Sequence, residues 1–230
     1  MRLHRFFIEE PLRNKKDISL YDDELIHQWK DVFRFRAGNR LILLDNTGFE
    51  YLAEIDVLAK GNANVRILET TPVGSVPKKD IWLYAALIKK DNFEWILEKV
   101  TELGVNHIVP LLTERTEKKD LNTERALKIL KEASEQSGRG ILPELHEVMK
   151  LEEALNKAVN PLAFHVEGDL FTQSFLEFSD QASLFIGPEG GWTEREVELF
   201  KAKDVPLVTV GTQVLRAETA AIAISSLILL

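Results

Sequence analysis

The chain reads as an α/β protein in which a small β-rich piece precedes a larger domain with a mostly parallel sheet and helices on both faces. Three observations carry that expectation. After residue 80, short apolar runs alternate with segments whose apolar residues recur every three or four positions, the rhythm of strand–helix units. Before residue 72, short apolar or partly alternating runs are separated by turn residues, which suits a small barrel. Between them Pro72–Lys79 carries two prolines and a glycine and interrupts any period, so it reads as a linker. The expected domains are therefore 1–72 and 73–230.

In order, Arg5–Ile8 suits a short strand. Asp22 is placed to cap a helix whose apolar face is Leu25/Ile26, Trp29 and Val32/Phe33. Leu41–Leu44 is an apolar strand, Asn46-Thr47-Gly48 is turn chemistry, and Phe49–Leu58 is the return strand. Gly61-Asn62 turns again into a third strand, Ala63–Glu69. Beyond the linker, Ile81–Ile88 is a strand. Asp91 and Glu94 read as the N-cap and its N3 partner for a helix burying Phe93, Ile96/Leu97, Val100 and Leu103, with Gly104 as its stop. Val105–Leu112 is the next strand. Asn122 opens a helix with Ala126, Ile129/Leu130 and Ala133 inward, closed by Gly138 and Gly140. Leu151–Val159 is a shorter helix, and Leu162–Val166, Leu184–Ile186 and Leu207–Val210 are buried strands.

Composition narrows the function classes. The 230 residues hold no cysteine, which excludes disulfides, zinc thiolates and a cysteine nucleophile and is compatible with a cytoplasmic location. MRLHRFFIEE lacks the apolar core of a signal peptide. No apolar run reaches the ~20 residues of a membrane span, and the greasy end, AAIAISSLILL, is too short. The net charge of −8 counts against a generic nucleic-acid binder, yet residues 1–40 carry nine Lys/Arg, Arg2 among them, against seven acids. RNA binding would then rest on local patches. The five histidines form no recognisable metal-ligand spacing, so no metal is expected.

The stretch with most chemistry is Leu184–Glu196, LFIGPEGGWTERE. An apolar strand stops at Gly187, a glycine loop follows, and Thr193-x-x-Glu196 is a capping box opening a helix. That layout puts a ligand at the carboxyl end of a strand. The loop is neither a dinucleotide nor a P-loop fingerprint, and Glu189 among its donors works against a polyphosphate. A ligand with polar edges and a positive centre fits better, and S-adenosylmethionine meets that description; a tight turn with no ligand is the plain alternative. Glu189 either faces such a centre or binds the donors of its own loop. A second strand end, Val210–Ala220 (VGTQVLRAETA), sets Arg216 and Glu218 beside a very apolar tail.

ELGV at Glu102–Val105, EQSGR at Glu135–Arg139, IGPEGG at Ile186–Gly191 and LRAETA at Leu215–Ala220 occur here in the order found in one family. The chain resembles, over nearly its whole length, the 16S ribosomal RNA (uracil-N3) methyltransferases of the SPOUT superfamily. The resemblance implies a SPOUT α/β-knot domain, its trefoil knot formed by the last ~70 residues against ordinary topology rules, preceded by a PUA-like RNA-binding barrel. It implies S-adenosylmethionine as cofactor, a homodimer, and a uridine of 16S rRNA, free or in the small ribosomal subunit, as target. It needs no metal.

Under that resemblance the cofactor contacts are His165, Ile186, Gly187, Pro188, Gly190, Gly191, Val210, Gly211, Val214, Leu215 and Ala220. His165 is equally read as a structural histidine. Arg216 is the expected catalytic residue, its forked donor face pinning O2 or O4 of the base. Glu218 is the proton acceptor or the orienter of Arg216. The plain alternative has both holding each other and the helix start. Arg5, Arg34 and Arg139 are the expected RNA contacts, although a charge favoured by the helix dipole accounts for Arg139 equally simply. Lys89, Lys90 and Arg115 are weaker surface candidates. Two departures from the family pattern, Thr212-Gln213 and Asn92 where arginines are common, remove positive charge. A non-catalytic knotted RNA-binding dimer, or a SPOUT ribose 2′-O-methyltransferase, are the alternative functions.

Overall fold

The computed structural model describes residues 3–74, 79–117, 120–176 and 179–230. They fall into two compact units, Met1–Ser75 with Ser134–Ile141, and Val76–Ala133 with Leu142–Leu230. Arg2 and residues 75–78 of the expected linker lie outside the described residues. Residues 134–141, which a division at 72/73 assigns to the second domain, cluster with the first unit.

The first unit is one sheet of five strands, β1 (Arg5–Phe7), β2 (Asp17–Leu20), β3 (Arg40–Leu44), β4 (Phe49–Leu58) and β5 (Ala63–Pro72), in the order β1-β3-β4-β5-β2. Its pairings are antiparallel except β1 with β3. Alternation on β4 turns Tyr51, Ala53 and Ile55 inward, as the period of a half-buried strand requires. β2 was not expected: its inward residues are only Ile18 and Leu20, too little pattern without the β5 partner in view. Asp22 caps helix α1 (Asp23–His27), Oδ1 accepting from Leu25 N at 3.0 Å. The helix then widens into a π-turn, Gln28–Val32, with Phe33 N donating to Gln28 O at 3.0 Å. That wider pitch rotates later side chains relative to an α-helix. Trp29 is buried edge-on to Phe6, whereas Val32, expected inward, is 64% exposed. Glu135 joins this unit through its Oε1, which accepts from Phe7 N at 2.8 Å.

The second unit holds a seven-stranded sheet. Its strands are β6 (Asp80–Ala86), β7 (His107–Leu112), β8 (Glu144–Leu145), β9 (Met149–Lys150), β10 (Pro161–Leu170), β11 (Gln181–Ile186) and β12 (Leu207–Thr209). The order is β12-β10-β11-β6-β7-β8, with β9 also on β7, and every pairing is parallel. Helices α2 (Lys90–Leu103), α3 (Thr123–Ser137), α4 (Leu151–Lys157), α5 (Glu194–Ala202) and α6 (Ala217–Leu229) complete it, α3 running on into residues of the first unit. Successive strand residues feed two cores, as a sheet covered on both faces demands. Leu83, Ile108 and Leu184 pack with α2, α3 and α6. Tyr84, Val109 and Phe185 pack with α4 and α5, where Phe185 meets Phe200 edge-on at 5.8 Å.

Two local readings change. Helix α2 begins one residue after Lys89, an N-cap without a side-chain bond, so Asp91 is not the cap but an acid in the first turn. There it still complements the helix dipole. Glu94 pairs instead with Arg125 at 3.3 Å and Lys90 at 3.7 Å. Strand β10 is longer than expected and meets β12 twice, Phe164 and Asp169 both registering with Val208. Between them Gly168 comes so near that a Cβ there would lie 2.5 Å from Val208 N. Glycine is what allows that approach of two backbones. Among the described residues no helix is long and apolar enough to cross a membrane.

Candidate active site

The carboxyl ends of β10, β11 and β12 face a cleft of about 350 Å³. Its floor is the loop after β11. Gly191 N donates to Pro188 O at 2.8 Å, closing a tight turn, and Gly191 has φ +68°. Thr193 then caps α5 by the expected box: Glu196 N donates to Thr193 Oγ1 at 3.2 Å, and Thr193 N to Glu196 Oε2 at 2.8 Å. Glu196 is buried because its other oxygen accepts from Glu114 N at 2.9 Å. A carboxylate with two backbone donors ties the loop to the end of β7.

Trp192 fixes the loop from behind. Its indole N–H donates to Phe164 O at 3.0 Å, and a Cβ at Gly187 would meet its ring at 3.1 Å. Arg115, read from sequence as a weak surface candidate, clamps the same turn. Its Nη1 donates to Gly190 O and, at 3.3 Å, to Trp192 O. Glu189 does not bind the donors of its own loop; its Oε1 accepts, at 3.5 Å, from Lys89 N on the turn before α2.

Of the eleven expected cofactor residues, ten line the cleft: His165, Ile186, Gly187, Pro188, Gly190, Gly191, Val210, Val214, Leu215 and Ala220. Gly211 does not; its backbone closes a small turn with Thr209 Oγ1, which donates to Gly211 O at 2.9 Å. His165 Nδ1 accepts from Glu167 N at 3.2 Å. Arg115, Phe164, Trp192, Val208, Thr209, Gln213 and Ala217 also line the cleft. Thr209 and Gln213 adjoin residues already singled out; Arg115 was named only as a surface candidate, and its place at the cleft had no local signal, because the loop after β7 reaches the glycine turn only through sheet order. Gln213, one of the two departures from the family pattern, therefore faces the cleft, while Asn92 sits in the first turn of α2.

The two expected catalytic residues part company. Arg216 is the exposed N-cap of α6 and adjoins the cleft-lining Leu215 and Ala217. Among the described residues its side chain makes no hydrogen bond or ion pair, so it does not hold Glu218. Glu218 falls on the inward stripe of α6 with Ala217, Ala221, Ile224 and Ile228 and is 3% exposed. Its Oε2 is buried without a hydrogen-bond partner among the described residues. It is not among the residues that line the cleft, and Arg216 does not hold it.

The three expected RNA contacts also separate. Arg34 is exposed, in the left-handed region at φ +57°. Arg5 is half-buried and paired with Glu50 at 2.7 Å. Arg139 is buried, its Nε donating to Ile141 O at 2.7 Å, and burial lowers its pKa to about 10. Its guanidinium completes the turn after α3.

The cleft suits S-adenosylmethionine by donor chemistry and shape. Ile186, Val210, Leu215 and Ala220 offer an apolar bed, the glycine turn lets backbone groups approach, and the Glu189 carboxylate is part of the lining.

Known proteins agree with this arrangement. A family model described as an RNA methyltransferase domain matches residues 75–229, and one described as an RNA methyltransferase PUA domain matches residues 30–68. The ribosomal RNA small subunit methyltransferase E of Rickettsia conorii is 33% identical over 228 residues, covering 96% of this chain and 93% of its own. A protein of the same name from Neisseria gonorrhoeae, solved bound to S-adenosyl methionine, aligns with TM-score 0.89 at 28% identity over 98% of this chain and 96% of its own. A putative methyltransferase from Legionella pneumophila, in complex with the same cofactor, aligns with TM-score 0.90 at 28% identity over 99% and 97%. With relatives matched over both units, this chain belongs to the ribosomal RNA small subunit methyltransferase E family of SPOUT RNA methyltransferases.

Proposed function

We propose that the chain is an S-adenosylmethionine-dependent methyltransferase acting on N3 of a uridine in small-subunit (16S) ribosomal RNA. The observation that carries this is the cleft at the strand ends, with an exposed Arg216 that has no partner among the described residues directly beside it. The bound cofactor supplies a methyl group on a sulfonium. Leu215, Val210 and Ile186 hold the apolar part of the ligand, and the turn Pro188–Gly191 meets its polar edge.

Methylation at N3 requires loss of a weakly acidic imide proton, whose acceptor is assigned to solvent water. A guanidinium fork donating to O2 or O4 stabilises the uridine anion through charge-assisted bonds. Each pKa unit removed from the imide corresponds to about 1.4 kcal/mol. Anion stabilisation is assigned to Arg216 alone; Glu218, buried behind it, is kept out of direct contact with substrate. Much of the remaining rate comes from holding the two reactants in line. The first unit is assigned to RNA recruitment, with Arg34 as its contact among the three expected arginines. The double approach of β10 and β12 at Gly168 is assigned to the crossing of the trefoil.

A homodimer is part of this reading. Helix α6 is apolar beyond its buried stripe, and Leu227 is 51% exposed and Leu230 90%. Surface of that kind calls for a second cover. Light scattering at micromolar protein is expected to give twice the chain mass; a monomer would sink the assembly.

The activity is tested by incubating unmodified small subunits or their rRNA with the protein and cofactor, then digesting to nucleosides for mass spectrometry. N3-methyluridine is the expected product. A ribose-methylated nucleoside would overturn the base assignment, and no methylated product on either substrate would overturn the catalytic one.

A further inference from the structure

At the opposite end of the parallel sheet from the cleft, β6, β7 and β8 begin with Asp80, His107 and Glu144. The registers Trp82↔His107 and His107↔Glu144 set the three strand starts side by side, and His146 follows one residue beyond β8. His107 Nδ1 lies 3.1 Å from His146 Nε2 and 3.3 Å from Glu144 Oε2. One ligand atom from each of His107, Glu144 and His146 lies within 4.8 Å of the others.

The geometry points to a divalent transition-metal site, best suited to zinc, held by His107, His146 and Glu144. Zinc bonds of about 2.0–2.1 Å in tetrahedral arrangement place neighbouring ligand atoms roughly 3.3 Å apart. The measured separations of 3.1 and 3.3 Å are of that size. Two imidazoles and one carboxylate, with a fourth position left to water, form a donor set that zinc takes.

The surroundings orient the same ligands. On the far side of the ring, His107 Nε2 lies 3.3 Å from Asp80 Oδ1, the carboxylate–histidine arrangement that leaves Nδ1 free to face a metal. Asp80 is itself held, its Oδ2 accepting from Trp82 Nε1 at 3.3 Å. The Trp82 ring lies against both imidazoles, with centroids 4.0 Å from His107 and 4.7 Å from His146, which fixes their planes. The plain rival is a hydrogen bond between the imidazoles beside an exposed glutamate.

A metal here would staple the N-terminal edge of the sheet. β8 is two residues long, and its neighbours hang on two backbone bonds, Glu144 N to Asn106 O at 2.8 Å and His146 N to Ile108 O at 2.9 Å. The site does not depend on the methyltransferase reading and is expected to leave cofactor affinity unchanged.

The test is calorimetry of the tag-free chain, freed of metal by a chelator, with zinc chloride. Thermal melts and visible spectra with cobalt(II) accompany it. One zinc per chain, a raised melting temperature that chelator reverses, and the absorption of tetrahedral cobalt are expected. Glu144→Gln, on a side chain 63% exposed and therefore safe for folding, and His146→Asn should each weaken binding by at least the roughly 10- to 100-fold typical of a lost outer partner. Absence of binding at micromolar zinc overturns the site. So does binding that both variants leave intact, which would place the metal on other histidines. A loss confined to His146→Asn removes the carboxylate and overturns the three-ligand site.

Discussion

Arg216→Ala is expected to lower turnover by roughly two to three orders of magnitude, the effect of removing one donor to a developing anion. Melting temperature and cofactor affinity should change little. Arg216 is exposed, its side chain has no partner among the described residues, and as the N-cap of α6 it makes no side-chain cap bond, so truncation takes away no visible support. Arg216→Lys should stay impaired, because a point charge does not reproduce a bidentate fork. A structural role would show differently: alanine would lower stability, cofactor binding and rate together. Stability, affinity and single-turnover rate on the same two variants separate these accounts. A stable Arg216→Ala protein with a near-normal single-turnover rate takes Arg216 out of the mechanism.

Gly191→Val is expected to abolish measurable S-adenosylmethionine binding while the chain stays folded. Gly191 holds φ +68°, a conformation that costs an L-residue roughly 1–2 kcal/mol and a β-branched one more. A Cβ there meets nothing within 4 Å, so the first added carbon does not strike the protein. The damage is confined to the turn Pro188–Gly191 and to space the ligand needs. Gly191→Asn should bind more weakly than wild type but better than valine, since asparagine tolerates the left-handed region. Calorimetry with cofactor, beside a melting curve for each variant, reads the series. Valine binding as tightly as glycine would mean the loop is not the cofactor site.

The expected metal-free chemistry shows where spacing stops being informative. His107 and His146 are 39 residues apart and match no local ligand motif, yet the neighbouring starts of β7 and β8 bring their nitrogens to 3.1 Å. The same limit hid Arg115, which reaches Gly190 across 75 residues. The burial of Glu218 was hidden for another reason. Two-residue spacing at a helix start suggests that Arg216 and Glu218 could hold each other, but Arg216 is the exposed N-cap and helical rotation carries Glu218 into the buried stripe. Arg139 was read as a surface cation because its motif ends a helix; packing of residues 134–141 onto the first unit buries it.

What the sequence by itself determined is whatever depends on residues a few positions apart. The capping box at Thr193 and Glu196, the cap at Asp22, the stop at Gly104 and the alternation of β4 are local balances of hydrogen bonding and side-chain period. So is the glycine turn after β11, closed by Gly191 N donating to Pro188 O at 2.8 Å. The tertiary structure alone decided which strand ends are neighbours, where β10 meets β12 twice, and which charges are covered. Those outcomes follow from sheet order and from burial against partners distant in the chain, and no local pattern encodes either.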